Sequence, residues 1–451
     1  MRCRWRGCWL VLGGLLLTMA TPISAQKLQQ VPGFLFAQLT DNSANDWLPR
    51  VSGRSLVGPS LELVTWTGAH QLPTATSTLT TDLEVFLWDG QVLEQVTDDD
   101  VNSTRPVVNN LREIAFETGG NGVGNDLSVR TGSECWRVTA DSNRDRYPDI
   151  NDNGIVVWGH YNDNTQNFGF SSYDLRRRAW FNFPFIYSYR PHINAANQVE
   201  VSAAWLRLPD STLLELGPKP ADYGYDNFRR GELNDLGWIL IEADPNPALQ
   251  NAHDQGPRDM LLWNGSTMKL IYSSPVEWAG RGDLNRRGVL AWEGRGGLPG
   301  STSGTADTEI FVYDPSRAVV EQITDDDVED NWPTVMDNDT IVWVGQGSYA
   351  GSQSSSSDFE IFLACPDRDG DGVGDTTSLC ATAPGSQQIQ VASSFVSVSA
   401  KDCQSTLLLR KCGLGFEVAP PLLLLWVCRR RSSARRRRHG SGYGASGSIR
   451  S

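Results

Sequence analysis

Residues 309–345 read EIFVYDPSRAVVEQITDDDVEDNWPTVMDNDTIVWVG. An apolar run at 309–314 meets a turn at Pro315 and Ser316, and a second run ends in Gln322, Ile323 and Thr324. Three aspartates follow, then Trp332 and Pro333, an Asp/Asn turn over 337–339, and a third apolar run at 341–344. Short apolar or alternating runs bounded by turn residues are the pattern of β-strands. The phrase also stands upstream, at 84–117, as EVFLWDGQVLEQVTDDDVNSTRPVVNNLREIAFE. Strands that return in a fixed order describe a repeat architecture.

Working outward, proline-anchored strands begin near Pro49, Pro106, Pro148, Pro191 and Pro333, with weaker counterparts at GELNDLG (231–237) and GDLNRRG (282–288). Their spacing, about 40 to 57 residues, suits units of four short strands and their loops. No helical periodicity of any length runs between 26 and 364. The chain enters the series with FLFAQLTD (34–41), which matches the fourth strand of a unit, and leaves it with SDFEIFLA (357–364), which matches a third. An N-terminal strand that completes the last sheet closes a ring and removes an open edge. The sequence therefore predicts an all-β fold over 26–364: a β-propeller of seven four-stranded blades, closed by the N-terminal strand.

The phrases EIFVYD, EQITDDD, NWPTV and NDTIVW resemble the TolB-like class of propeller repeats. The likeness is good near Pro49, Pro106, Pro148 and Pro333 and faint between 200 and 300. The family's Ser or Asp plus Gly after the first strand is replaced by NDNG, NDLG or MDND. The resemblance implies a periplasmic-type binding scaffold without enzyme activity. Related propellers accompany catalytic domains in prolyl-oligopeptidase-type enzymes, but no such domain follows here.

The aspartates occupy an equivalent place in each unit, between the outermost strand and the next innermost one. Asp98, Asp99 and Asp100 follow Thr97; Asp325, Asp326 and Asp327 follow Thr324; Asp41 follows Thr40; Asp141 stands two residues after Thr139. Asp side chains cap turns by accepting backbone N–H groups two residues on, which accounts for the position structurally. The functional alternative is an acidic rim on one face that attracts a cation or a basic partner. A catalytic carboxylate pair is disfavoured, since a phrase repeated in several units describes the repeat and not a single site. The aromatics beside the prolines, Trp47, Tyr147, Tyr189 and Trp332, read as wedges between units or as platforms for carbohydrate.

Residues 365–380, CPDRDGDGVGDTTSLC, place Asp367, Asp369 and Asp371 at alternate positions, with Gly372 at the turn and Asp375 beyond. Alternating carboxylates in a glycine-bent loop gather hard oxygens as Ca2+ requires, with Val373 offering its carbonyl. The loop resembles a single thrombospondin type 3 repeat, which implies a structural Ca2+ site. Ser378 stands where that family usually has a further aspartate.

The ends carry targeting signals. Residues 1–25 show a basic start, an apolar core and ISA before Gln26, the layout of an export signal cut after Ala25. Residues 381–411 read as a flexible linker rich in Ser, Ala and Gln. Residues 412–438 join a Cys-Gly pair, an apolar run at 418–428 and two arginine clusters, and 439–451 form a disordered tail. The apolar run is far shorter than the roughly 20 residues a span needs, and the layout resembles the C-terminal sorting signals of Gram-negative bacteria. The expected destination is the cell surface or outer envelope, with a periplasmic or released form after processing, and membrane contact only through this segment.

The chain carries a formal charge of −14 although both ends are basic, so the central region is more acidic still. Such a surface repels nucleic acid and favours a cationic protein partner, or a glycan. Of eight cysteines, Cys365, Cys380, Cys403 and Cys412 are free to pair in an oxidising compartment, while Cys135 reads as a lone buried thiol. The five histidines are scattered without metal-ligand spacing, and no G-x-S-x-G elbow occurs. Arg281-Gly282-Asp283 is an adhesion-type tripeptide, but it falls on a unit's first strand. The reading is a monomeric, exported, non-catalytic binding scaffold. Its alternatives are a lyase or glycosidase acting on polysaccharide, with a site assembled from several blades, and a purely structural envelope protein.

Overall fold

A computed structural model describes residues 33–370, except 53–61, 70–81, 120–124, 142, 163–166, 185–189, 202–203, 208–211, 215–227, 244–257, 274–278, 297, 299–300, 302–306 and 348–357. The described residues form seven antiparallel four-stranded sheets. The first strands are Asp46–Val51, Ser103–Val108, Arg144–Ile150, His192–Ile193, Phe228–Leu233, Ala279–Leu284 and Asp330–Val335. Each touches the first strand of the next sheet, and Asp330–Val335 touches Asp46–Val51, so the series returns on itself. This is a seven-bladed β-propeller. The export signal, the linker and the C-terminal segment lie outside the described residues.

Blades 1 to 6 take their four strands consecutively. Blade 7 takes Asp330–Val335, Ile341–Gln346 and Phe359–Pro366, then Phe34–Gln38 from the other end of the chain. That strand pairs antiparallel with Phe359–Pro366, Phe34 opposite Pro366 and Gln38 opposite Phe362. The offset between the chain's two ends predicts this closure. The last strand runs two residues beyond 364, so Cys365 and Pro366 belong to the sheet.

The second strands are buried along most of their length because both faces of each sheet are covered. Trp66, Phe116, Trp158, Trp292 and Trp343 are fully buried there. Three of them stack on a third-strand phenylalanine: Trp66 on Phe86 at 5.7 Å, Trp292 on Phe311 at 5.8 Å and Trp343 on Phe362 at 5.7 Å. Truncating one such ring to alanine costs about 3–5 kcal/mol. Three of the indole N–H groups are matched: Trp66 donates to Asp46 at 3.0 Å, Trp158 to Asp145 at 2.9 Å and Trp343 to Asp330 at 2.9 Å, while that of Trp292 has no partner among the described residues.

The proline-anchored first strands share a β-bulge, seen between Trp47 and Arg50, Thr104 and Val107, Arg146 and Asp149, and Asn331 and Thr334. In each, the residue just before proline takes a left-handed conformation: Leu48 at φ 54°, Arg105 at 50°, Tyr147 at 55° and Trp332 at 51°. The preceding blade holds three of these backbones in place. Arg105 N–H donates to Thr67, Tyr147 N–H to Glu117 and Trp332 N–H to Glu293. The aromatics at this position are covered by arginine: Tyr147 lies between Arg105 at 5.0 Å and Arg190 at 4.0 Å, and Trp332 meets Arg281 at 5.5 Å. Trp47 is half-buried, and Tyr189 lies outside the described residues.

The opposite ends of the first strands carry a ladder of asparagines. Asn109 donates its amide to the Asn151 carbonyl, Asn151 to that of Asn194, Asn194 to that of Asn234, Asn234 to that of Asn285, and Asn285 to that of Met336. The side-chain oxygens meanwhile cap each asparagine's own turn; that of Asn234 accepts from Leu236 and Trp238 N–H. One side chain thus shapes a turn and bonds to the next blade.

One expectation is corrected. Cys135 is disulfide-bonded, as is Cys365. Cys135 lies half-buried on the outermost strand Glu134–Arg137, packed against the edge of a core cluster and not enclosed by it.

Asn234→Ala leaves the buried Asn285 carbonyl unmatched, worth about 1–3 kcal/mol, and removes the caps on two half-buried N–H groups. Chemical denaturation should show a loss of about 1–3 kcal/mol. Asn234→Asp keeps the turn caps and should lose less; equal stability of the alanine variant and the wild type would remove the ladder from the account of stability.

Candidate functional site

The repeated Gln-aliphatic-Thr ending organises the acidic turns. Thr40, Thr97, Thr139 and Thr324 accept, through their hydroxyl oxygens, the third-strand N–H groups of Ile361, Val85, Leu127 and Ile310. Thr40 and Thr97 donate in turn to buried Glu360 and Glu84. Each glutamate also accepts an N–H from the turn: Glu360 from Asn42 at 3.1 Å, Glu84 from Asp99 at 3.3 Å and Glu309 from Asp326 at 3.2 Å.

Within the turns, Asp99 accepts from Val101 N–H, Asp141 from Asn143 and Asp326 from Val328, and Asn42 caps Ala44 likewise. Asp325 accepts from the Ser301 hydroxyl. Asp99 is buried; Asp98, Asp325 and Asp326 are half-buried; Asp41, Asp100, Asp141 and Asp327 are exposed. All four turns join a fourth strand to the next first strand, so by topology they share one side of the ring. Only Asp326 is drawn into a tight acidic group, with Glu309 and Asp330. Burial raises these carboxyls: Glu84 and Glu360 to about 9, Glu309 to about 8, and Asp330 well above the ordinary range.

A second constellation lines the central channel. The residue after each proline, or after the glycine in its place, forms a ring: Arg50, Val107, Asp149, His192, Glu232, Asp283 and Thr334. Most of these residues line a cleft with about 670 Å³ of space not filled by protein atoms, together with Asp152, Asp235, Arg286 and Asp337 from the asparagine turns. The acids bond across to a neighbouring blade, mostly to its backbone. Asp149 accepts from Ile193 N–H, Asp283 from the Thr334 hydroxyl and Val335 N–H, Asp152 from Asn110 N–H, Asp235 from Ala195 N–H and Asp337 from Arg286 N–H. Asp283, the acid of the adhesion-type tripeptide, is therefore buried and engaged.

His192 Nδ1 stands 3.0 Å from Glu232 and 3.5 Å from Asp149. Burial opposes its charge, but the two carboxylates outweigh that and raise its pKa to about 9. The two carboxylates favour its charged form, in which the side chain links blades 3, 4 and 5. Scattered histidines conceal this residue in the sequence; counting one position on from each proline would have exposed the ring.

Of the loop after the last strand, Asp367 and Asp369 are described. Asp367 is buried, its N–H donating to the Gly33 carbonyl at 2.8 Å, Asp369 is exposed, and Gly370 turns the chain at φ 72°. Asp371, Val373 and Asp375 lie outside the described residues.

Compared with known protein families and with curated proteins, the chain matches none. Among solved structures, it is similar to an oligogalacturonate lyase from Vibrio parahaemolyticus, at 10% identity over 74% of this chain and 97% of that one, with a TM-score of 0.48. The β-propeller domain of the trilobed protease from Pyrococcus furiosus gives 13% identity, 71% and 95% coverage and a TM-score of 0.45. TolB from Acinetobacter baumannii gives 12% identity, 53% and 59% coverage and a TM-score of 0.34. None of these likenesses bears on activity, and the propeller rests on its own sheet topology.

The His192 link has a definite pH signature. Its folded pKa lies above the ordinary value of 6.5, so its contribution to stability is fully present below about pH 6.5 and is lost as pH rises through about 9. The stability difference between wild type and His192→Gln should therefore shrink over that window, and the imidazole NMR resonances should titrate near 9. A midpoint near 6.5 would contradict the assignment.

Proposed function

We propose that this chain is an exported, non-catalytic binding propeller that holds a cationic protein segment against its acidic-turn face. The observation that carries this reading is the engagement of the channel acids: they join one blade to the next, and the one histidine of the channel ring is held charged between two of them. A polysaccharide lyase or glycosidase needs a group free to move a proton at the substrate. A channel bearing Asp149, Asp152, Asp235, Asp283 and Asp337 would also repel a polyuronate.

The exposed carboxylates of Asp41, Asp100, Asp141 and Asp327 recur on one side of the ring, where they attract positive charge. Arginine on Tyr147 and Trp332 leaves those rings poorly placed for sugar stacking, which favours a protein over a glycan. The chain acts as a monomer in this reading. Export through residues 1–25, envelope display through 412–438 and a structural Ca2+ in the loop 365–380, on Asp367, Asp369, Asp371, Val373 and Asp375, complete the proposal. Gly370 supplies the bend such a loop uses.

Capture from envelope fractions tests this reading. Wild type should retain a basic protein whose binding weakens with salt, and the quadruple variant Asp41→Asn, Asp100→Asn, Asp141→Asn, Asp327→Asn should lose most of it. Equal capture by both would move binding elsewhere. Unsaturated product from polygalacturonate, abolished by His192→Ala, would replace the scaffold with the lyase.

A further inference from the structure

The acidic turns are built alike but not charged alike. At the junction of blades 7 and 1 the three facing positions are Glu360, Asn42 and Asp46; between blades 1 and 2 they are Glu84, Asp99 and Ser103; between blades 2 and 3 they are Asp126, Asp141 and Asp145. The first two junctions each have a neutral residue at one position, and in the third Arg137 pairs with Asp126 at 3.2 Å. Between blades 6 and 7 all three are acids: Glu309, Asp326 and Asp330. One oxygen from each lies within 4.8 Å of the others. Ligand oxygens sit 2.3–2.6 Å from a bound Ca2+, so two of them are at most about 5 Å apart. The group is compact enough to share one ion.

A second observation points into the cluster. Glu309 is 0% and Asp330 1% exposed, yet Glu309 Oε2 and Asp330 Oδ2 make no well-formed hydrogen bond among the described residues, and the single Thr324 hydroxyl beside both carboxyls can donate to only one of them. A buried carboxylate oxygen without a partner is costly. The other oxygens are engaged: Glu309 Oε1 accepts from Asp326 N–H and Asp330 Oδ1 from the Trp343 indole. Asp326 is half-buried and opens the group to solvent.

We propose that Glu309, Asp326 and Asp330 form a divalent-cation site that clasps blade 6 to blade 7. The donors are all hard oxygens, which selects Ca2+ or Mg2+ over zinc, and three convergent carboxylates favour Ca2+, since Mg2+ keeps several waters and takes one or two carboxylates. This site is distinct from the loop 365–380 and does not depend on the binding reading above.

The test uses the full chain and Tb3+ as a luminescent stand-in for Ca2+. Trp343 donates to Asp330, so tryptophan excitation should sensitise an ion held there. Wild type should give saturable emission that Ca2+ displaces. Asp326→Asn should weaken Tb3+ binding on the order of tenfold or more, as loss of one charged ligand does. That variant should fold, because Asn42 caps the equivalent turn. Asp99→Asn makes the same change at a junction with one neutral position and should leave the emission unaltered, whereas Asp371→Asn with Asp375→Asn removes only ions held by the loop and should leave the Asp326-dependent emission in place. Glu309→Gln should reproduce the Asp326→Asn loss. Emission indifferent to Asp326→Asn, or abolished by the loop variant alone, would overturn the site.

Discussion

Everything else in the fold depends on one pairing, that of Phe34–Gln38 with Phe359–Pro366. A propeller blade exposes a sheet edge, and a ring of blades has a seam where the chain's ends meet. Drawing the outermost strand of the last blade from the start of the chain places backbone hydrogen bonds across that seam. The pairing also sets the phase of the repeat. With the first strand used as a fourth, every later blade begins at its inner strand.

Given closure, the blades are held together by two different kinds of matter. Between the sheets lie aromatic and branched apolar side chains, with Trp66, Trp158, Trp292 and Trp343 at matching second-strand positions. Around the axis the first strands converge, and apolar packing gives way to directional bonds. Asparagine amides on one side and Glu117, Glu293 and Thr67 on the other accept or donate across the junctions from blade 1 through blade 7. Buried polar groups are expensive unless satisfied, and here most of them are satisfied by the next blade. This concentration of acids resembles an active site in composition, but the bonding partners are largely backbone.

The acidic turns show how one local solution acquires different uses. Thr97, Glu84 and Asp99 form a closed set of hydrogen bonds that explains the repeated aspartate without a ligand. The same frame between blades 6 and 7 carries one acid more than it can satisfy internally. A single replacement, Asp330 where Ser103 stands in the equivalent turn, makes the difference.

Much of the fold was legible in the sequence. The repeated phrase, the prolines at Pro49, Pro106, Pro148 and Pro333, and the third-strand character of 357–364 determine strand type, blade number and closure, because strand period, proline's missing N–H and turn chemistry are local properties. Blade 4 was faint, since strands as short as His192–Ile193 and Thr212–Leu214 carry almost no periodicity. The turn role of Asp99 and Asp326 was legible for the same local reason. What the tertiary structure alone decided is which residues meet across blades: His192 between Asp149 and Glu232, Asn234 with the Asn285 carbonyl, and Glu309 with Asp326 and Asp330. Such contacts depend on the register of a blade some forty residues away, and ring closure sets that register.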